Sequence, residues 1–359
     1  ARVCRALITE SKSTPLRGRM QAGTNMPPPL NASWAAMGRS LGLSSSLTDD
    51  ARIAALLSRL KDRTLFMIGD SSLRNQFMQL TRVGLSIPRD VPVAKAVATR
   101  SYRGSFLSPG GLMKQPERPD SSNGFWGGFQ WLVTSTPSNT TIVYAKMWGC
   151  QGLADAVGRI HGVMLRHKRH SGGLGGWPPH LVLWNFGLHL LHVFPARPVP
   201  TTSIRCALGY GALVEESART LRAELPSTQL VYRTTNAVCD ARFDGQWAVV
   251  AHAHHCTSSM RGSSCRTERA ARVQDACQRR YNISRDECAA TFMDEINTRS
   301  QRRSARMRLQ THPARVQLLD AFDITAQRCD ATVDGRHYPR LLAAINAQFL
   351  ASACGILGV

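Results

Sequence analysis

Short apolar runs alternate with segments of helical period along most of this 359-residue chain, and that alternation constrains the fold more than any other feature. The run "TLFMIG" leads into a helical segment that ends near Leu80. After it come "TTIVYAKMW" as a strand, "LADAVGRIHGVMLRH" as a helix, "HLVLWNFG" as a strand and "YGALVEESARTLRAEL" as a helix. "TQLVYRTT" is a further strand, and beyond a Cys-rich stretch stand the helix "DEINTRSQRRSARMRLQ", the strand "RVQLLDAF" and the last helix "RLLAAINAQFLASA". Strands that are apolar throughout, separated by helices, belong to a parallel sheet covered on both faces. The expected fold class is α/β, a doubly wound, flavodoxin-like parallel sheet with helices on both faces.

Residues 1–50 fall outside this rhythm. They are rich in Pro, Ser and Gly and read as an irregular arm, leaving residues 51–359 as one domain. Asp49 or Asp50 is the expected cap of the first helix, with Ile53, Leu56, Leu57 and Leu60 on its buried face. "RHSGGLGGWPPH" lacks the GK[ST] of a phosphate-binding loop and reads as a flexible connection. Residues 236–290 hold five of the ten cysteines and read as an insertion stapled by disulfides.

The bulk numbers narrow the location and the partners. No run of 18 or more apolar residues appears, so no segment is expected to span a membrane. The chain starts at Ala1 without a Met, and the expectation is that a signal peptide or membrane anchor precedes it. Ten irregularly spaced cysteines suit disulfides better than metal knuckles. Three sequons, at Asn31, Asn139 and Asn282, point the same way, toward the secretory pathway: Golgi lumen or exterior. With 45 basic against 24 acidic residues the net charge is +21, which attracts polyanions. Arg302, Arg303, Arg306 and Arg308 share one expected helix, and Arg166 to His170 form a second cluster. Both read first as solvated faces. No RRM, KH or zinc-finger spacing supports nucleic-acid readout, so no nucleic-acid partner is expected.

Chemistry concentrates where the first strand meets its helix, at Gly69-Asp70-Ser71. Ligands of a parallel sheet sit beyond the carboxyl ends of its strands. Ser71 would begin a helix, where a backbone N–H has no helical partner and can donate to an oxyanion. Gly69 permits a tight turn, and Asp70 can accept turn or helix N–H bonds. Read alone, the tripeptide is as consistent with a simple N-cap. A nucleophilic serine needs a base, and the base an orienting acid. "CDATVDGRHYP" supplies Asp334 and His337, three apart, so that one turn can aim both side chains into one cleft.

These blocks resemble the SGNH (GDSL-type) hydrolases, and within them the PC-esterase branch, which includes the trichome-birefringence-like and the Cas1-like glycan O-acetyltransferases. "FMIGDSSLRNQF" matches the first block through Ser71, Arg74, Asn75 and Gln76. "LVLWNFGLHLL" supplies Asn185, Gly187 and His189 of an N-x-G-x-H block, and Asp334, Gly335, His337 and Tyr338 match the closing D-G-x-H-Y. "VYRTTNAVCD" and "LLDAFDIT" resemble further segments, so the likeness spans about residues 60 to 350.

The resemblance implies Ser71 as nucleophile, His337 as general base and then acid, and Asp334 as the group that orients the imidazole. It implies an oxyanion hole from the Ser71 N–H, the Asn185 amide and a glycine N–H, for which Gly104 is the candidate. Arg233 and His189 are the candidate substrate contacts; Arg233 reads equally as a structural arginine paired with a carboxylate, and His189 as a packed or capping histidine. The implied function is a serine-dependent acyl enzyme acting on O-acetyl groups of a glycan or polysaccharide, an O-acetyltransferase or, alternatively, a carbohydrate acetylesterase. No bound cofactor is implied; the acyl group would arrive on a donor such as acetyl-CoA or an acetylated intermediate. The partner would be a glycan, and +21 suits an anionic one. The chain lacks the paired Trp and the D-C-S-H-W-C-L-P ending of the plant enzymes, so their disulfide pairings and xylan or pectin specificity do not transfer. His252, His254 and Cys256 in "HAHHC" raise a zinc reading, but no second ligand cluster is spaced to complete it, and no metal is expected. A non-catalytic glycan-binding protein would be marked by loss of a triad member, and a nucleic-acid binder by charge alone.

Overall fold

The computed structural model describes residues 48–90, 112–114, 131–147, 178–191, 201–239, 242, 274–275 and 277–359. The N-terminal arm up to residue 47, Gly104, the expected helix at 153–167, the Arg166 to His170 cluster and the "HAHHC" run lie outside these residues. Helix α1 (Asp49–Arg59) leads into β1 (Thr64–Gly69) and α2 (Ser71–Gly84). Strands β2 (Leu112–Lys114), β3 (Trp131–Ser135), β4 (Thr141–Lys146) and β5 (Leu181–Trp184) follow, then α3 (Thr201–Leu208), α4 (Tyr210–Glu224) and β6 (Gln229–Arg233). Helices α5 (Arg285–Ala289) and α6 (Glu295–Gln310), strand β7 (Gln317–Leu319), α7 (Ala321–Thr325) and α8 (Leu342–Leu357) complete the described elements.

The seven strands form one sheet in the order β2-β3-β4-β1-β5-β6-β7. β4, β1, β5, β6 and β7 run parallel, while β3 pairs antiparallel with both β4 and β2. Counted in chain order, the parallel strands therefore lie 2-1-3-4-5, the doubly wound order in which the chain reverses direction between its first and third strands. Here that switch point lies between β1 and β5. The antiparallel β2-β3 edge was not expected from the sequence; the turn "TPSN" between the β3 and β4 runs is its local signal.

Every residue of β1 is buried, and its alternate side chains feed two different cores. Leu65 and Met67 pack with Ile53, Leu56, Leu73, Phe77, Ile345 and Phe349 of α1, α2 and α8. Phe66 and Ile68 pack with Trp184, Val214, Leu221, Ala305 and Leu309 toward α4 and α6. Each such side chain contributes about 1.5–3 kcal/mol on burial, so the sheet is held from both sides. The α1 cap is Thr48, whose hydroxyl accepts from Ala51 N–H; the aspartates at 49 and 50 occupy the first turn instead, where the helix dipole favours them.

Pro339–Leu357 is long and apolar enough, by length and composition, to cross a bilayer, and 56% of that window is buried here against the rest of the fold. Asn346 breaks its apolar run and is fully buried. Its amide joins Gln76 Nε2 (3.0 Å), the Gln76 carbonyl (3.2 Å) and Gln79 Oε1 (2.7 Å), which locks α8 to α2. Disulfides join Cys239 to Cys329 and Cys277 to Cys288, and Cys206 is also disulfide-bonded. Such bonds suggest an oxidising, non-cytosolic compartment. Cys354 departs from the all-disulfide reading: it is a buried thiol on α8 that donates to the Leu56 carbonyl.

Candidate active site

The carboxyl end of β1 is shaped by contact with its neighbour. A Cβ on Gly69 would lie 2.7 Å from the Asn185 carbonyl, so only glycine lets the ends of β1 and β5 approach this closely. Asp70 then caps α2, accepting Ser72 N–H on Oδ1 at 2.8 Å. The Tyr144 hydroxyl donates to the Gly69 and Asp70 carbonyls (2.9 and 3.2 Å) and fixes the corner from below. Ser71 is thereby the first helical residue, with a hydroxyl at the switch-point crevice and a backbone N–H that the helix does not use.

The closing turn meets it from the far side of the sequence. Gly335 has φ +80°, which lets the chain fold back so that the Asp334 carboxylate faces its own successors. Oδ1 accepts the backbone N–H groups of His337 (2.8 Å) and Arg336 (3.1 Å), and Oδ2 lies 2.6 Å from His337 Nδ1 and 3.4 Å from Arg336 Nε. Thr332 Oγ1 accepts from Gly335 N–H and donates to the His337 carbonyl, which ties both ends of the turn together. His337 Nε2 lies 2.8 Å from Ser71 Oγ. An ionised carboxylate can only accept, so Nδ1 carries the ring proton and Nε2 accepts from the Ser71 hydroxyl. Burial works to raise the Asp334 pKa, but the hydrogen bonds and charge of His337, with the two backbone N–H groups, outweigh it and hold the carboxyl well below the usual range.

Residues 236–239, read from the sequence as the start of an insertion, belong instead to the wall of this site. The loop that follows β6 is buried from Thr234 to Cys239. Asn236 Nδ2 donates to the Arg336 carbonyl (3.0 Å), Cys239 N–H to the Gly335 carbonyl (2.7 Å), and the Tyr338 hydroxyl to the Ala237 carbonyl (2.7 Å). The Cys239–Cys329 disulfide anchors the same loop to the segment just before Thr332.

The structure thus brings Ser71, His337 and Asp334 together. Asn185 lies across the switch point, directly after β5; its N–H donates to the Ile68 carbonyl (2.9 Å) and its Nδ2 to the Arg233 carbonyl (3.0 Å). It is fully buried, so one of its two amide N–H bonds braces β6. Of the two readings of Arg233, substrate contact or structural arginine, its 1% exposure and its bonds to Thr234 and Asn236 favour the structural one, though its hydrogen-bond partners are a carbonyl and an amide and not a carboxylate. His189 is half-buried in a single 3₁₀ turn, Leu188–Leu190, after the tight corner at Gly187. Gly104 lies outside the described residues. Thr332, Asn236 and Arg336 were not singled out from the sequence. The local signal for Thr332 is its spacing from the closing motif; Asn236 has none, because its partner is 100 residues away. Among the described residues, no group of three or more His, Cys, Asp or Glu side chains is placed to hold a metal ion.

Chemically, the arrangement can withdraw a proton from a serine hydroxyl and return it to a leaving group, with a helix-terminal N–H beside the developing charge. No protein-family model matches the chain, and no curated protein matches it significantly.

Proposed function

We propose that the chain is a serine-dependent acyl enzyme that acts on O-acetyl groups of a glycan in the secretory pathway. One observation carries the reading: Ser71 Oγ, His337 Nε2 and Nδ1, and Asp334 Oδ2 follow one another at 2.8 and 2.6 Å, from opposite ends of the chain, at the switch point of a doubly wound sheet. Ser71 Oγ attacks the acetyl carbonyl carbon as its proton passes to His337 Nε2. Asp334 stabilises the imidazolium that forms. The oxyanion of the tetrahedral adduct lies by the Ser71 N–H, with Asn185 as the second donor. Collapse breaks the bond to the leaving group, which takes the proton from His337, and leaves acetyl-Ser71. A second hydroxyl, deprotonated by the same His337, then takes the acetyl group.

The acceptor separates the two forms of this reading. A sugar hydroxyl makes the protein an O-acetyltransferase, which the resemblance to the PC-esterase branch favours; water makes it an acetylesterase. The test is acetate release from an acetyl ester, with and without a glycan acceptor, in wild type and Ser71→Ala. The expected result is release or glycan acetylation that vanishes in the variant, with the acceptor diverting acetate from water to sugar. Equal turnover in wild type and Ser71→Ala would overturn the proposal.

A further inference from the structure

Arg233 is the largest charged side chain fully buried in the described residues, and a guanidinium is costly to bury unless its hydrogen bonds and charge are met. Nη1 donates to the Thr234 carbonyl (3.0 Å) and Nη2 to Asn236 Oδ1 (2.6 Å). Burial lowers its pKa to about 10, with the charge of Asp70 opposing the fall, so it remains a cation at neutral pH. Asp70 is the residue before the serine.

The consequence is a chain of contacts that spans the crevice. On one side, the Arg233 carbonyl accepts from Asn185 Nδ2 at the end of β5. On the other, Arg233 holds Asn236, and Asn236 holds the Arg336 carbonyl, one residue before His337. The contact to Asn185 is made by the Arg233 backbone, whereas the guanidinium reaches the turn that carries His337 through Asn236. The same fork cannot be supplied by an ammonium, which is a point charge on a flexible stem.

Resting on the acyl-enzyme reading, we infer that Arg233 is a positioning residue: acting through Asn236, it sets the His337 imidazole against Ser71. Its planar guanidinium, with one donor on the Thr234 carbonyl and one on Asn236 Oδ1, sets the placement of the turn.

The test is the rate at which an alkyl fluorophosphonate labels Ser71, a reaction that needs the serine and its base but no glycan. Arg233→Lys keeps a cation at the end of β6 and loses the fork. Asn236→Ala keeps the Arg233 side chain, removes the Nη2 acceptor and cuts the link to the Arg336 carbonyl. Each is checked for an intact fold by its melting temperature, and Asn236→Ala is the variant in which the buried charges stay balanced. The expected result is maximal labelling slowed about 10- to 100-fold in each, at an unchanged half-saturating reagent concentration. The double variant is expected to be no slower than the slower single one, as for two residues in one relay. Labelling within about twofold of wild type in folded Asn236→Ala, or slowing that multiplies in the double variant, would overturn the inference while the acyl-enzyme reading stands. Wild type that takes no label at Ser71 would overturn both.

Discussion

Asp334 is the residue whose ionisation does most for the site. Its carboxyl titrates well below the usual range in the folded protein and near 3.9 in an unfolded chain, so around pH 4 the native state binds fewer protons than the unfolded one. Stability from this group is therefore fully present above about pH 4 and drains away as the pH falls further. Acid denaturation followed by circular dichroism is expected to show a shallower acid limb in Asp334→Asn than in wild type. The same variant is expected to lose about 10³- to 10⁴-fold in kcat for acetate release at neutral pH, because the amide no longer selects the Nδ1–H tautomer. Gly69→Ala puts a methyl 2.7 Å from the Asn185 carbonyl and is expected to cost about 1–3 kcal/mol in urea unfolding. At the surface, Asn282 is exposed at the turn that precedes α5, whereas the Asn139 amide donates to Asp62. Passage through a glycosylating secretory pathway is expected to leave glycan at Asn282, detected as a mass shift that Asn282→Gln removes. Ser71, Asp334 and His337 were legible because each signal is local: a strand-to-helix corner and a three-residue spacing. Arg233 and Asn236 were not, because what they do depends on partners that only the folded chain brings near.

Two helices carry the two halves of the site, and their packing decides whether serine and base meet. Ser71 opens α2; α8 begins just after the turn that carries His337. Asn346 joins them through three hydrogen bonds to Gln76 and Gln79, all buried. Asn346→Leu keeps the volume but strands the Gln76 and Gln79 amides, with an expected cost of about 2–4 kcal/mol in urea unfolding. A midpoint equal to wild type would show that these amides find other partners. The loop after β6 acts similarly on the turn, since Cys239 bonds to Cys329 and to the Gly335 carbonyl. At this scale the sequence was readable for the long, periodic elements α1, α2, α4, α6 and α8. It misled at the short ones: the β2-β3 edge carries few residues, and residues 236–239 were assigned by their cysteine, although they form a buried loop that bonds to the turn carrying His337.

Ser71, His337 and Asp334 meet where a 2-1-3-4-5 sheet changes direction, and the alternation of apolar runs and helices was enough to anticipate the layered sheet. Charge was harder to read. Of the four arginines on α6 singled out from the sequence, Arg302 pairs with Asp320 and Asp323, and Arg308 with Glu215, so half of that run is neutralised within the fold. The net +21 still predicts faster reaction with an anionic acceptor than with a neutral one at low salt, a difference that should shrink as ionic strength passes about 0.15 M. The expectations about turnover all depend on Ser71 becoming acylated. The most direct measurement is to mix the protein with an activated acetyl ester, quench it in acid within the first turnover, and map the acetyl group by peptide mass spectrometry. The expected result is acetyl on Ser71, present in wild type and lost in His337→Ala. Acetate release that proceeds in Ser71→Ala, with no acetyl ever found on Ser71 of the wild type, would contradict it.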